Sequence, residues 1–195
     1  GWGGFAEYAA GEIGCRVTGV TISKEQLAFA RERMEKKGLT DKVDIRYQDY
    51  RDIDERFDRI ASIEMFEAVG EEYWPAYFEK IRNCLKPGGK AGLQIITIAD
   101  RSFSAYRKRA DFIQRYIFPG GHLPSMQAMC QAMGERSELY VDSAENIERV
   151  LPLLDEIRGR DDADQIPRVV HHGYRVDARL AHQVPERADD VVDVS

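Results

Sequence analysis

Short apolar runs that alternate with helical patterns, most of them ending in polar residues, constrain this chain more than any other feature. Arg16 to Ile22 is short and β-branched, and Ser23 then opens a helical pattern through Leu27, Ala30, Met34 and a charged run to Lys37, before Gly38. Val43 to Tyr47 alternates and ends at Gln48 and Asp49, and Phe57 to Ile63 is an apolar strand after an acidic loop. Glu71 to Leu85 predicts a helix with Tyr73, Tyr77, Phe78, Ile81 and Leu85 inward. Lys86-Pro87-Gly88-Gly89 stops it, and Lys90 to Ile98 predicts a near-continuous apolar strand. Arg101 to Phe118 predicts a helix broken by Pro119-Gly120-Gly121, Ser125 to Met133 a short helix, and Leu139 to Val141 a strand. Strands alternating with helices predict an α/β fold with a parallel sheet covered on both faces.

Beyond Glu148 the texture changes. Asp161-Asp162-Ala163-Asp164, His171-His172 and Ala188 to Ser195 make a polar tail of weak periodicity, read as poorly ordered apart from one helix over Glu148 to Ile157. The expected division is therefore one domain over 1–147 and a tail over 148–195.

Charge narrows the partners. Lys plus Arg number 28 against 34 Asp plus Glu, a formal charge of -6. That is a poor field for phosphates, so nucleic acid is not expected and any membrane contact is local. No apolar run reaches the roughly 20 residues a spanning helix needs, and the expected location is cytoplasmic. Cys15, Cys84 and Cys130 show no ligand spacing, so neither a disulfide framework nor a metal site is expected. A solitary His122 in Gly-Gly-His-Leu-Pro reads as structural.

The chemistry gathers at strand ends. Gly1-Trp2-Gly3-Gly4-Phe5 is a glycine-rich turn where missing Cβ atoms allow a ligand close to the backbone. About 20 residues on, Thr21-Ile22-Ser23-Lys24-Glu25-Gln26 ends one strand, and Gln48-Asp49 ends the next. That edge is where open parallel sheets bind nucleotides. Asp49 suits an exocyclic amine such as that of adenine, and Thr21 and Gln26 lie where an adenosyl group passes. Each has a plainer reading: a helix cap at Ser23, an exposed first turn at Gln26, a loop start at Asp49. Thr21 in place of an acidic residue argues against a dehydrogenase.

The motifs Gly1-Trp2-Gly3-Gly4-Phe5, GVTISKEQ (19–26), QDYRD (48–52), SIEMFEAVGEEYW (62–74), Leu85-Lys86-Pro87-Gly88-Gly89 and YIFPGGHLPS (116–125) together resemble the cyclopropane fatty acid synthases, from residue 1 to about Ile147. The resemblance implies a Rossmann-like S-adenosylmethionine methyltransferase fold. It implies an unsaturated acyl chain of a phospholipid as acceptor, met at the inner face of a membrane by peripheral contact, and it allows a homodimer. By the same resemblance Gly1 and Gly3 belong to the cofactor loop, Thr21, Ile22 and Gln26 line the adenosyl group, and Gln48 and Asp49 flank adenine. Glu67 matches an acidic residue near the reacting centre beside a bound bicarbonate, and Ile98 matches a residue contributing its backbone. The helix from Arg101 is the candidate lipid contact, with Phe103, Tyr106, Ala110, Ile113 and Ile117 on one face and Arg101, Lys108 and Arg115 elsewhere. An amphipathic helix packed on the sheet reads the same way.

The match also has gaps. The family's first strand, with the acid that ends it, and its final hairpin strand are expected to be missing, which leaves two open edges or brings the flanking strands together. Ile96 stands where the family has histidine, and Tyr174 is not assigned to the site. A partial or frameshifted gene accounts for both ends, and the isolated chain is expected to be inactive or nearly so. Two other readings stay open: a methyltransferase acting on another lipid or a small molecule, and a nonenzymatic domain that binds an adenosyl ligand.

Overall fold

The structure, a computed structural model, describes residues 1–108, 121–146, 172–180 and 190–194. Local chemistry sets its helix boundaries. Helix α1 (Gly4–Tyr8) continues into a π turn over Ala9–Ile13, and strand β1 (Arg16–Thr21) follows. The Ser23 hydroxyl accepts the Gln26 N–H and opens α2 (Lys24–Lys37), and Gly38 ends it at φ 67°. Strand β2 (Val43–Tyr47), strand β3 (Phe57–Ile63) and helix α3 (Trp74–Cys84) come next. Glu71–Tyr73, expected as the first turn of that helix, is a separate 3-10 turn, so Tyr73 lies 58% exposed instead of inward. Pro75 at the start of α3 explains the offset: its fixed φ suits a first helical turn.

Strand β4 (Leu85–Thr97) begins five residues before its expected start and runs through the Pro-Gly-Gly stop. A bulge absorbs the extra residues, because Phe57 pairs with Leu85 while Arg59 already pairs with Lys90. A Cβ on Gly89 would lie 2.8 Å from the Lys86 carbonyl oxygen, so only glycine fits there. Helix α4 (Asp100–Tyr106) is the described part of the expected 101–118 helix. Ala110, Ile113, Arg115 and Ile117 lie outside the described residues, as does the expected 148–157 helix. Helix α5 (Met126–Arg136) starts on a Ser125 cap, and strand β5 (Leu139–Asn146) is five residues longer than expected.

Strands β6 (His172–Leu180) and β7 (Asp190–Asp193) come from the segment expected to be a poorly ordered tail. They complete a seven-stranded sheet of order β2-β1-β7-β3-β4-β6-β5, parallel except for β6, which is antiparallel to both neighbours. The Rossmann-like α/β class is as expected, and the two gaps are not. β6 forms the hairpin pairing with β5, and β7 lies between β1 and β3, so those strands neither meet nor face solvent. The physical reason is burial: Val191, Val192 and Val194 are 6%, 1% and 6% exposed. Two cores flank the sheet. α1 and α2 cover Val17, Val43 and Ile45 on one face, and α3 and α5 cover Val20, Ile60, Leu93, Ile95 and Val192 on the other.

Candidate functional site

All the parallel strands end on one edge, and four of them bury a polar side chain there. Thr21, Asp193 and Thr97 are the last residues of β1, β7 and β4, and Ser62 is the penultimate residue of β3; they are 7%, 4%, 2% and 1% exposed. Burying polar groups at a sheet edge costs free energy unless they are hydrogen-bonded. Ser62 accepts the Tyr77 O–H at 2.9 Å.

On the β1–β2 side the expected residues converge. The Thr21 hydroxyl donates to Gln26 Oε1 at 2.6 Å and accepts the Ser23 N–H at 3.1 Å, and the Thr21 carbonyl accepts the Gln48 N–H at 3.0 Å. Gln48 Nε2 donates to the Asp52 carbonyl at 3.0 Å. Asp49 follows directly, and its carboxylate takes the Arg51 backbone N–H at 2.9 Å and the Arg51 guanidinium at 2.9 and 2.6 Å. That guanidinium holds the Asp49 carboxyl below the usual carboxylate range. A carboxylate has about four lone-pair positions, so Asp49 can accept a further donor without losing Arg51. Ile22 projects from the same edge, 70% exposed, as a flat apolar surface.

Gly3 has a φ of 79°, and a Cβ there would lie 3.1 Å from Ala30 Cβ, so the missing side chain lets α2 pack close against the turn. Gly1 stands at the head of the same turn, half-buried.

On the β3–β4 side lies Glu67. One carboxylate oxygen, Oε1, accepts the Ile96 N–H, while Oε2 is buried and has no hydrogen-bond partner among the described residues. Burial pushes this carboxyl up in pKa. The 121–124 loop closes over it, since the His122 N–H donates to the Glu67 carbonyl at 2.8 Å and the Ile98 N–H donates to the Pro124 carbonyl at 2.9 Å. Ile98 is thus beside the site, with its N–H already committed. The His122 ring sits among Trp74, Phe103 and Tyr106, centroids 5.2–5.9 Å away. Its Nε2 lies 3.4 Å from a Glu71 carboxylate oxygen without hydrogen-bond geometry, and burial pushes its pKa down, so it is a neutral, packed ring. Phe103 is buried, so the first turns of the expected lipid-contact helix pack on the core.

Sequence reasoning missed Asp193, because nothing near it in the chain marks it as a strand end. The described residues hold no group of three His, Cys, Asp or Glu side chains poised for a metal ion. Nor is any described helix long and apolar enough to cross a membrane.

A doubly wound sheet with buried polar tips on its carboxyl edge is the α/β architecture in which open sheets place a ligand crevice beyond that edge. The profile of the family described as mycolic acid cyclopropane synthetase matches residues 1–150, and the chain belongs to that family. It is 40% identical over 147 residues to a tuberculostearic acid methyltransferase of Mycobacterium tuberculosis, covering 75% of this chain and 34% of the relative. It is 42% identical over 132 residues to the cyclopropane-fatty-acyl-phospholipid synthase of Escherichia coli, covering 68% and 32%. The chain therefore spans about a third of the length of these relatives. The solved cyclopropane synthase MmaA2 from Mycobacterium tuberculosis superposes with a TM-score of 0.73 at 20% identity, over 92% of this chain and 75% of that one, a likeness of fold.

Proposed function

We propose that this chain carries the cofactor crevice of an S-adenosylmethionine-dependent methyltransferase that alkylates the double bond of an unsaturated acyl chain of a phospholipid. The observation that carries the reading is the set of acceptors along the carboxyl edge: the carboxylates of Asp49, Asp193 and Glu67 follow three of its strands, and acceptors of that kind suit a ligand that bears a sulfonium and an ammonium. The cofactor supplies an electrophilic methyl group when bound. Thr21, Ile22 and Gln26 would hold the adenosyl portion, and Gln48 and Asp49 the adenine amine. Glu67 offers a buried oxygen without a donor among the described residues, placed to stabilise positive charge as the alkene is alkylated. In such a dry position an uncompensated carboxylate acts far more strongly than in water.

Bicarbonate fits less well. The Ile98 N–H is committed to Pro124 and the Ile96 N–H to Glu67, and the orphaned Glu67 oxygen would face an anion. This favours a second product class, methyl- or methylene-branched lipid, because Ile96 cannot help hold a base that would remove the proton for ring closure. An acyl acceptor also calls for peripheral contact with a bilayer, for which exposed Arg101 and Lys108 beside α4 are suited.

Equilibrium dialysis against labelled S-adenosylmethionine tests the crevice: binding is expected, and Asp49→Ala is expected to weaken it about tenfold, the worth of one charge-assisted hydrogen bond. Lipid mass spectrometry after incubation with unsaturated phospholipid then separates products, a gain of one methylene unit marking alkylation. Absence of adenosylmethionine binding overturns the assignment.

A further inference from the structure

The loop over Glu67 is tied down by backbone bonds to three places. The His122 N–H donates to the Glu67 carbonyl at 2.8 Å, the Leu123 N–H to the Tyr106 hydroxyl at 3.2 Å, and the Pro124 carbonyl accepts the Ile98 N–H at 2.9 Å. None of these bonds carries a charge. The titratable side chain of the loop is the His122 ring, packed against Trp74 of α3 and against Phe103 and Tyr106 of α4, with centroids 5.6, 5.9 and 5.2 Å away. Its Nε2 is buried and makes no hydrogen bond among the described residues.

A neutral imidazole tolerates such a place better than an imidazolium, which carries two N–H donors and a full charge. The surroundings do not supply a dedicated counter-charge. Glu71 Oε2 lies 3.4 Å from Nε2 without hydrogen-bond geometry, while Oε1 pairs with the Arg107 guanidinium at 2.9 Å, and that guanidinium also lies over the Phe103 ring. Glu72 on the same turn adds attraction, and Arg107 adds repulsion. The other titratable groups that meet the loop are the Tyr106 phenol and Glu67, through the bonds just given. Burial outweighs the attraction, so the ring's pKa stands below its ordinary value of 6.5. A ring released by an open loop regains the ordinary value, and therefore binds protons more readily open than closed. The closed state is fully favoured above pH 6.5 and loses ground as pH falls toward the lower pKa of the packed ring.

We propose that the 121–124 loop is a lid over Glu67, latched by the neutral His122 ring and released when that ring is protonated. Opening uncovers the buried Glu67 oxygen and frees the Ile98 N–H at the carboxyl edge. Only the effect on alkylation rests on the proposed function, because the latch is made of the chain's own residues.

Amide exchange and a histidine titration, both by NMR on the full chain without ligand, test the lid. The Ile98 protection factor, already corrected for intrinsic exchange, is expected to fall about threefold or more between roughly pH 8 and pH 5, while the amides of β3 hold theirs. The midpoint is expected to coincide with that of the His122 ring. Glu71→Gln removes an attracting carboxylate and is expected to move both midpoints to lower pH together. His122→Phe keeps an aromatic ring among its neighbours and is expected to make Ile98 protection independent of pH. A step that persists in His122→Phe, or flat protection in the unsubstituted chain, overturns the inference. Should His122→Phe not fold, the two midpoints of the unsubstituted chain decide: agreement supports the lid, and disagreement overturns it. A failure to bind S-adenosylmethionine would sink the proposed function and leave these readings untouched.

Discussion

Glu67 is a side chain placed at a cost to stability. Its Oε2 is buried without a donor among the described residues, and burial raises the pKa above the ordinary value of 4.5. The folded protein thus holds that proton more tightly than the unfolded chain. The contribution to stability is fully present below the unfolded pKa and is lost as pH rises through the folded one. Glu67→Gln removes the charge and keeps an acceptor for the Ile96 N–H. It is expected to raise stability at neutral pH by about 1 kcal/mol, a Tm gain of about 2–4 °C. The gain should vanish in scans run below the ordinary glutamate pKa, while alkylation falls about 100-fold or more. A constant gain at every pH would show that ionisation of Glu67 is not the source. Which residues could be foreseen follows from distance along the chain. Ser23, Thr21 and Gln26 act within five residues of one another, so their spacing displays the geometry. The orphaned Glu67 oxygen depends on the 121–124 loop folding over it, and Asp193 depends on strands more than 130 residues away, so neither leaves a local trace.

At the scale of elements the same contrast holds. The 14-residue α2, with its serine cap and glycine stop, was legible end to end because its signals are local. β7 was not, since four residues are too short to show a period and a run of acidic residues hid its valines. What anchors β7 is a question of magnitude. Lys86 bridges Asp58 and Asp190, with side chains 38%, 20% and 33% exposed, and such half-solvated pairs contribute about 0.2–1 kcal/mol. Val192 is 1% exposed between the two helical layers, where shaving it to alanine costs roughly 2 kcal/mol in lost burial and cavity. Urea denaturation of Lys86→Met and Val192→Ala is therefore expected to rank the valine as the larger loss. Added salt should reduce only the cost of the lysine variant. The reverse ranking would mean that the ion pairs, and not apolar burial, dock the strand.

The sheet carries a burden of long-range closure, because its central strand is the last of the described strands in sequence. Arg16 and Asp190 are bonded across 174 residues, and Asp58 and Asp190 across 132. Each doubling of a closed loop costs about 0.6 kcal/mol. Joining Ser195 to Gly1 through a short glycine linker and opening the chain within 181–189 would bring β7 to within about 25 residues of β1, roughly three doublings shorter. By the same scaling the permuted chain is expected to gain about 2 kcal/mol of equilibrium stability with the sheet order and adenosylhomocysteine affinity unchanged. Stopped-flow refolding then tells when β7 enters. A faster refolding arm with unchanged unfolding places its pairing in the transition state, and slower unfolding with unchanged refolding places it afterwards. A permuted chain less stable than the original would mean that the 181–189 connection itself contributes more to the fold than the loop it closes costs.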